Sequence, residues 1–139
     1  MAKKPLVVPD HLSPLHDAAQ PGRYGANTDV PGVELSERLC DSLVQVQAWP
    51  RTLAKTRAAI GKAVGVRPSK DALSATKGTG VVMPTASGRY LIEDESTDLE
   101  TRLRDLMGTD IAAVTGLTHA RVVISISGEK AEWVLSSLI

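Results

Sequence analysis

The stretch LVQVQAWPRTLAKTRAAIGKAVG, residues 43–65, places a strand pattern directly before a helix pattern. Every second residue over 44–48 is apolar, which is typical of a strand with one buried face. After Pro50, apolar residues recur on one face of a helix that Gly65 is placed to end. We expect the inward residues of this helix to be Leu53, Ile60 and Val64. A strand and a helix that each have one apolar face predict a helix layer packed on a sheet.

The chain continues this alternation of strands and helices. Residues 79–83 and 89–93 have the composition of two short strands joined by a turn. Thr97 and Glu100 have the spacing of a capping box, which predicts a helix that ends at Gly108. Its inward residues are expected to be Leu99, Leu103, Leu106 and Met107.

Two further strands, 111–117 and 120–127, precede a last helix that starts near Gly128. The inward stripe of that helix is expected to contain Ala131, Val134, Leu135, Leu138 and Ile139. The order of the first six elements predicts an α+β fold with a ferredoxin-like split βαβ layout, in which helices cover one face of an antiparallel sheet. One extra strand and the C-terminal helix follow this layout.

Proline content divides the chain into an arm, 1–32, and a single α+β domain, 33–139. Five of the eight prolines lie in the arm, where no period of a strand or helix is sustained. Proline removes a backbone donor, so this segment is expected to be extended and to gain order by lying on another surface. Its anchoring residues are predicted to be Leu12, Leu15 and Tyr24.

Composition excludes several classes of protein. The formal net charge is zero and no cluster of Lys and Arg stands out, so nucleic acid is not expected as the main partner. No apolar run approaches the roughly 20 residues that span a bilayer. Cys40 is the single cysteine, which rules out an intrachain disulfide, and the N-terminus lacks the apolar run of a signal peptide. A cytoplasmic protein is expected.

Known catalytic and metal-binding patterns are missing from the sequence. There is no Gly-x-Ser-x-Gly and no His-Glu-x-x-His, and KGTG at 77–80 has its lysine on the wrong side for a phosphate loop. His11, His16 and His119 lack zinc-ligand spacing and are expected to be solvated or turn residues. We therefore predict no catalytic, cofactor-binding or metal-binding residue on this chain.

The four aromatic residues are too few to form a flavin or folate pocket, which usually offers several aromatic faces. Trp133 lies at the edge of the inward stripe of the last helix, so it either joins the core or faces a partner. Trp49 follows the strand of residues 44–48, whose Gln45 and Gln47 form the exposed face. These three residues and Trp133 join the arm residues as candidates for a partner interface.

Two groups of motifs add a further signal. The first consists of SPL at 13–15, PGRYG at 21–25, GVELSER at 32–38 and LVQVQAWP at 43–50. The second consists of GRYLI at 88–92, LTHAR at 117–121 and SGEKA at 127–131. In this order they resemble the gamma subunit of bacterial heterotetrameric sarcosine oxidase. The second group is similar, more remotely, to the aminomethyltransferase (glycine-cleavage T-protein) fold.

The resemblance implies an accessory, non-catalytic subunit with alpha, beta and delta subunits as partners. The complex oxidatively demethylates sarcosine to glycine. The resemblance implies that FAD, FMN, NAD and tetrahydrofolate belong to the larger subunits and zinc to the smallest, with no cofactor on this chain. Family members continue beyond the position of Ile139, so the apolar face of the last helix is expected to lack cover and to favour self-association of the isolated chain.

Two alternatives stay open on the sequence. The first is a small folate-binding or one-carbon-transfer protein, in which Asp110 or Glu93 would bind the pterin. The second is a free-standing homodimeric ferredoxin-like module with a regulatory role. A shared fold does not decide between such functions.

Overall fold

The computed structural model describes residues 13, 15–25, 29–71 and 74–138. Its elements are β1 (Glu34–Arg38), β2 (Ser42–Ala48), α1 (Leu53–Val64), β3 (Thr76–Lys77), β4 (Val81–Ala86), β5 (Arg89–Asp94), α2 (Leu99–Ile111), β6 (Ala112–Gly116), β7 (Val123–Ser127) and α3 (Ala131–Leu138). The chain forms two compact units. The sheet unit is Leu39–Ala120. The ribbon unit consists of those residues of Met1–Arg38 and of Arg121–Ile139 that the structure describes.

The sheet unit contains a five-stranded sheet in the order β3-β4-β5-β2-β6. All neighbouring strands are antiparallel. α1 connects β2 to β4, and α2 connects β5 to β6. This strand order and connectivity form a ferredoxin-like layout, to which β3 adds a two-residue edge strand. The prediction of an α+β fold with an antiparallel sheet is confirmed.

The core of the sheet unit lies between one face of the sheet and the two helices. Val44 and Val46 of β2 are buried, whereas Gln45 and Gln47 on the opposite face are half-buried. Each aliphatic side chain that is fully removed from water stabilises the fold by about 1.5–3 kcal/mol. The same core contains Ile60 and Val64 of α1, Tyr90 and Ile92 of β5, and Leu99, Leu103 and Met107 of α2.

Helix α1 buries a slightly different stripe from the predicted one. Ile60 and Val64 are buried as expected, but Leu53 is exposed and Thr56 is buried in the first turns. The reason is that Leu53 lies beside Gly88, at the turn between β4 and β5, rather than over the centre of the sheet. Gly65 ends the helix with a left-handed φ of 73°, which agrees with the prediction and suits a residue without a Cβ.

The capping box predicted for helix α2 is wrong. The helix begins at Leu99 after Asp98, and no side chain caps its N-terminus. The N-cap residue is therefore Asp98 rather than Thr97, and Glu100 lies at the second helical position instead of the third, which a capping box requires. Its carboxylate instead accepts a hydrogen bond from the Arg104 guanidinium at 2.6 Å. Gly108 interrupts the helix with φ 55° and ψ −157°, a conformation that favours glycine.

The ribbon unit contains an antiparallel two-stranded sheet and α3. β1 pairs with β7 from Glu34↔Ser127 to Arg38↔Val123, and the Lys130 N–H donates to the Gly32 carbonyl at 2.9 Å. None of the described residues of this unit is buried. The apolar stripe predicted for α3 is largely open to solvent among the described residues: Ala131 and Val134 are half-buried, and Leu135 and Leu138 are exposed. Ile139 lies outside the described residues.

The predicted boundary between an arm and a domain at Val33 stays a prediction. The structure adds a division of its own, after Arg38 and after Ala120. Strand β1 was not predicted from the sequence, and it pairs with a strand that follows the whole sheet unit. The alternation of Val33 and Leu35 with polar residues is the signal that indicates it in retrospect.

Asp94 joins three elements of the sheet unit. Its carboxylate accepts hydrogen bonds from the Ser96 hydroxyl at 2.6 Å and the Ser96 N–H at 2.8 Å, and it lies 3.7 Å from the Arg102 guanidinium. Arg102 also donates to the Ala63 carbonyl at 2.9 Å. The end of β5, the first turns of α2 and the end of α1 are therefore linked through one buried carboxylate, which is 6% exposed.

The environment of Asp94 favours its charged form. Burial alone would raise the pKa, but hydrogen bonds from Ser96 and the charge of Arg102 outweigh burial and hold the pKa of Asp94 below its ordinary value. A carboxyl group with a lowered pKa in the folded state stabilises that state above its unfolded pKa of about 3.9. This stabilisation is lost as the pH falls through the pKa of the folded state.

Truncating a buried leucine of α2 is expected to destabilise the fold far more than truncating an exposed one. Leu103 is 0% exposed and Leu106 is 38% exposed. Leu103→Ala is expected to lower the free energy of unfolding by about 2–5 kcal/mol, because it leaves a cavity in the core. Leu106→Ala, the matched control, is expected to cost less than about 1 kcal/mol. Urea denaturation followed by circular dichroism measures both, and equal losses would contradict this core.

Replacing Asp94 is expected to change the pH dependence of stability. Asp94→Asn removes the charged partner of Arg102 and is expected to lower the free energy of unfolding at neutral pH by about 1–3 kcal/mol. The difference from the wild type is expected to shrink as the pH falls from about 5 through the folded pKa of Asp94. Denaturation at a series of pH values measures this, with the exposed Asp105→Asn as control. A pH-independent difference would contradict the role of Asp94.

Candidate partner interface

The predicted interface residues fall in both units of the chain. Gln45, Gln47 and Trp49 belong to the sheet unit, and Leu15, Tyr24 and Trp133 belong to the ribbon unit. Leu12 lies outside the described residues. Each unit therefore contains three of the six described residues.

Gln45 and Gln47 occupy the face of the sheet opposite the core. Gln45 lies across from Leu91 on β5 and from Thr115 on β6. The Gln47 amide oxygen accepts a hydrogen bond from the Arg89 guanidinium at 2.9 Å. Gln47 is therefore tied to its own sheet, whereas no hydrogen bond among the described residues holds the Gln45 side chain. Of the two, Gln45 has the side-chain amide that is not engaged within the described sheet.

Trp49 is fixed at the end of β2 by two hydrogen bonds to the last turn of α2. Its indole N–H donates to the Thr109 carbonyl at 2.8 Å, and its backbone N–H donates to the Ile111 carbonyl at 3.2 Å. The indole ring is partly exposed. A tryptophan whose polar group is already satisfied presents a rigid apolar surface at little cost in side-chain entropy.

The turn after Trp49 holds an arginine in a strained backbone conformation. The Thr52 N–H donates to the Trp49 carbonyl at 3.1 Å, which closes a four-residue turn with Pro50 in its second position. Arg51 in the third position has φ 70°, as a type II turn requires, although glycine or asparagine usually stands there. The Thr52 hydroxyl donates to the Ile111 carbonyl at 2.6 Å and ties this turn to α2.

The ribbon unit exposes the other tryptophan. Trp133 is 68% exposed, so within the described chain it faces solvent rather than the core. Tyr24 is also exposed, and its hydroxyl donates to the Gln20 carbonyl at 2.9 Å. Leu15 is half-buried in a short turn whose Ser13 hydroxyl accepts a hydrogen bond from the Leu15 N–H at 2.9 Å. Trp133 and Tyr24 are the largest apolar side chains that this unit presents.

Asp110, Glu93, His119 and Cys40, the titratable residues with other candidate roles, belong to the sheet unit. Asp110 is exposed near the end of α2, and Glu93 is half-buried on β5, on the face opposite the core. His119 is exposed in the turn after β6, and Cys40 is half-buried before β2. No group of three or more His, Cys, Asp or Glu side chains that could hold a metal ion occurs among residues 13, 15–25, 29–71 and 74–138.

The same part of the chain has no helix with the length and apolar character needed to cross a membrane.

Comparison with known proteins identifies the fold. No protein-family model matches the chain, and no curated protein matches it. The structure of heterotetrameric sarcosine oxidase from Corynebacterium sp. U-96, in complex with pyrrole 2-carboxylate, is similar over 76% of this chain, with a TM-score of 0.65 and 22% sequence identity. The similar region covers 54% of the matched chain, so this chain spans about half of that chain's length. At this identity the likeness shows a shared fold.

Proposed function

We propose that this chain is the accessory, non-catalytic gamma subunit of a heterotetrameric sarcosine oxidase. The observation that carries the proposal is the fold that it shares, over three quarters of its length, with a heterotetrameric sarcosine oxidase. The motifs from residue 13 to residue 131 support the choice of the gamma subunit, because they occur in the order expected for that subunit.

The proposal assigns the chemistry to the alpha, beta and delta subunits. Those subunits would bind FAD, FMN, NAD, tetrahydrofolate and zinc, and would oxidatively demethylate sarcosine to glycine in the cytoplasm. Among the described residues, the most deeply buried carboxylate has a structural role, since Asp94 is held by Ser96 and Arg102. The contribution of this chain would be to assembly and stability of the complex.

Exposed aromatic side chains are the proposed points of attachment to the larger subunits. Tryptophan and tyrosine dominate the energetics of protein interfaces because they bury a large apolar area with few rotatable bonds. Trp133 and Tyr24 in the ribbon unit and Trp49 in the sheet unit have this character. Leu12, Leu15, Gln45 and Gln47 complete the proposed set.

Co-expression with candidate alpha, beta and delta subunits tests the proposal. Affinity purification through a tag on this chain is expected to yield a four-subunit complex whose visible absorption spectrum shows bound flavin. The control is co-expression of the other three subunits without this chain, purified through a tag on the alpha subunit, which shows whether they assemble on their own. A colourless tagged chain that purifies alone while the other subunits assemble without it would refute the proposal.

Replacing Trp133 is expected to weaken the complex without unfolding this chain. Because Trp133 is exposed, Trp133→Ala is expected to leave the free energy of unfolding nearly unchanged. Loss of an interface tryptophan typically costs more than about 1.4 kcal/mol, which corresponds to at least a tenfold rise in the dissociation constant from the larger subunits. Titration of labelled larger subunits measures it, with the exposed Leu106→Ala as control. Unchanged affinity for the tryptophan variant would remove Trp133 from the proposed interface.

A further inference from the structure

The two faces of the β1–β7 ribbon differ in polarity. On one face Leu35 lies opposite Ile126, and Ile124 lies opposite Glu37. Leu35 is 67% exposed and Ile124 is 57% exposed, so this largely apolar face is open to solvent. The other face carries the cross-strand pair Ser36 and Ser125, together with Glu34, Ser127, Arg38 and Val123. A two-stranded ribbon is marginal in water, and it gains stability from further strands that share an apolar face or from packing against a helix.

The two edges of the ribbon also differ. β1 has three charged residues, Glu34, Glu37 and Arg38, whereas β7, Val123–Ser127, has none. β7 also lacks proline, and its pairing with β1 shows no bulge. Among the described residues, β7 pairs with β1 alone, so its second edge is unpaired. Charges, prolines and bulges are the usual protection of an edge against another strand, and an uncharged regular edge invites pairing.

The sequence VISIS of β7 is suited to pairing with itself. In an antiparallel pair of two copies centred on Ser125, Ile124 of one copy lies opposite Ile126 of the other, and Ser125 lies opposite Ser125. Aliphatic side chains then meet aliphatic side chains on one face, and hydroxyls meet hydroxyls on the other. The equivalent pairing of two β1 strands about Ser36 would place Leu35 opposite Glu37, an apolar side chain against a charge.

We propose that two copies of this chain associate through the free edges of β7, about a two-fold axis at Ser125. The result is a continuous four-stranded sheet in the order β1-β7-β7-β1. Its largely apolar face contains Leu35, Ile124 and Ile126 from each copy, with Glu37 on the outer strands. The interface is isologous, since the same strand serves both partners, and it is closed, since both free β7 edges are used.

The oligomeric state of the isolated full chain tests this proposal. Sedimentation velocity at increasing concentration is expected to show a monomer–dimer equilibrium. In the Ile124→Lys variant, each copy carries a lysine beside the two-fold axis, opposite Ile126 of the other copy. This substitution is expected to raise the dimer dissociation constant at least tenfold. Leu39→Lys adds the same charge at an exposed leucine outside the ribbon strands and is expected to leave dissociation unchanged. A monomeric wild type, or an Ile124→Lys dimer of unchanged affinity, would overturn the proposal.

Disulfide crosslinking tests the position of the axis without adding a charge. Directly opposed residues of antiparallel strands have Cα atoms about 4.5–5.5 Å apart, within the roughly 4.4–6.8 Å that a disulfide spans. In a Cys40→Ser background, Ser125→Cys is expected to form a covalent dimer on mild oxidation. Ser36→Cys in the same background is the control on β1, away from the axis, and is expected to stay uncrosslinked. Crosslinking at position 36 but not at position 125 would overturn the β7 pairing.

The dimer does not depend on the proposed sarcosine oxidase role. A chain that dimerises and also fails to join larger subunits would refute only the role proposed above. A chain that joins them but is monomeric when isolated would refute only the dimer.

Discussion

The fold of the sheet unit depends on the two-sided pairing of β2. This strand is hydrogen-bonded to β5 along one edge and to β6 along the other, and its alternate residues Val44 and Val46 are buried beneath the helices. A shift of either ladder by one residue would turn Gln45 and Gln47 towards the helices and the valines towards solvent. The alternation in β2 therefore determines the register of both neighbours and the face on which α1 and α2 pack.

The layout of the sheet unit was predictable because each strand and helix has a clear hydrophobic period within a short stretch of sequence. A period of two over 44–48 and a helical period around Leu99 and Leu103 each point to the face that is buried. Errors arose where position in the sheet matters more than periodicity. By helical period, Leu53 belongs to the inward stripe of α1 and Leu106 to that of α2. Both side chains are nevertheless exposed, because the neighbouring layer does not extend over them. A helical wheel contains no information on the width of the layer that it packs against.

For the interface candidates too, the sequence indicates features that depend on neighbouring residues, but not contacts between residues far apart in the chain. The amphipathic pattern of α3 places Trp133 at the edge of an apolar stripe but leaves open whether it joins the core or faces a partner, and the structure shows it exposed. The hydrogen bond that holds Trp49 is not indicated by any local pattern, because the indole N–H donates to Thr109, just beyond the break in α2 at Gly108. Likewise, β1 is joined to β7 across the entire sheet unit, and no short window of sequence contains both strands.

The split of the ribbon unit around the sheet unit has a consequence for the order in which the protein is made. β1 leaves the ribosome before any residue of the sheet unit, and β7 leaves after all of it. Closing so long a loop costs chain entropy, and prior folding of the intervening residues offsets part of that cost by shortening the effective loop. The sheet unit can fold while β1 remains unpaired. A nascent chain stalled before β7 would therefore be the form most open to chaperones and to mispairing.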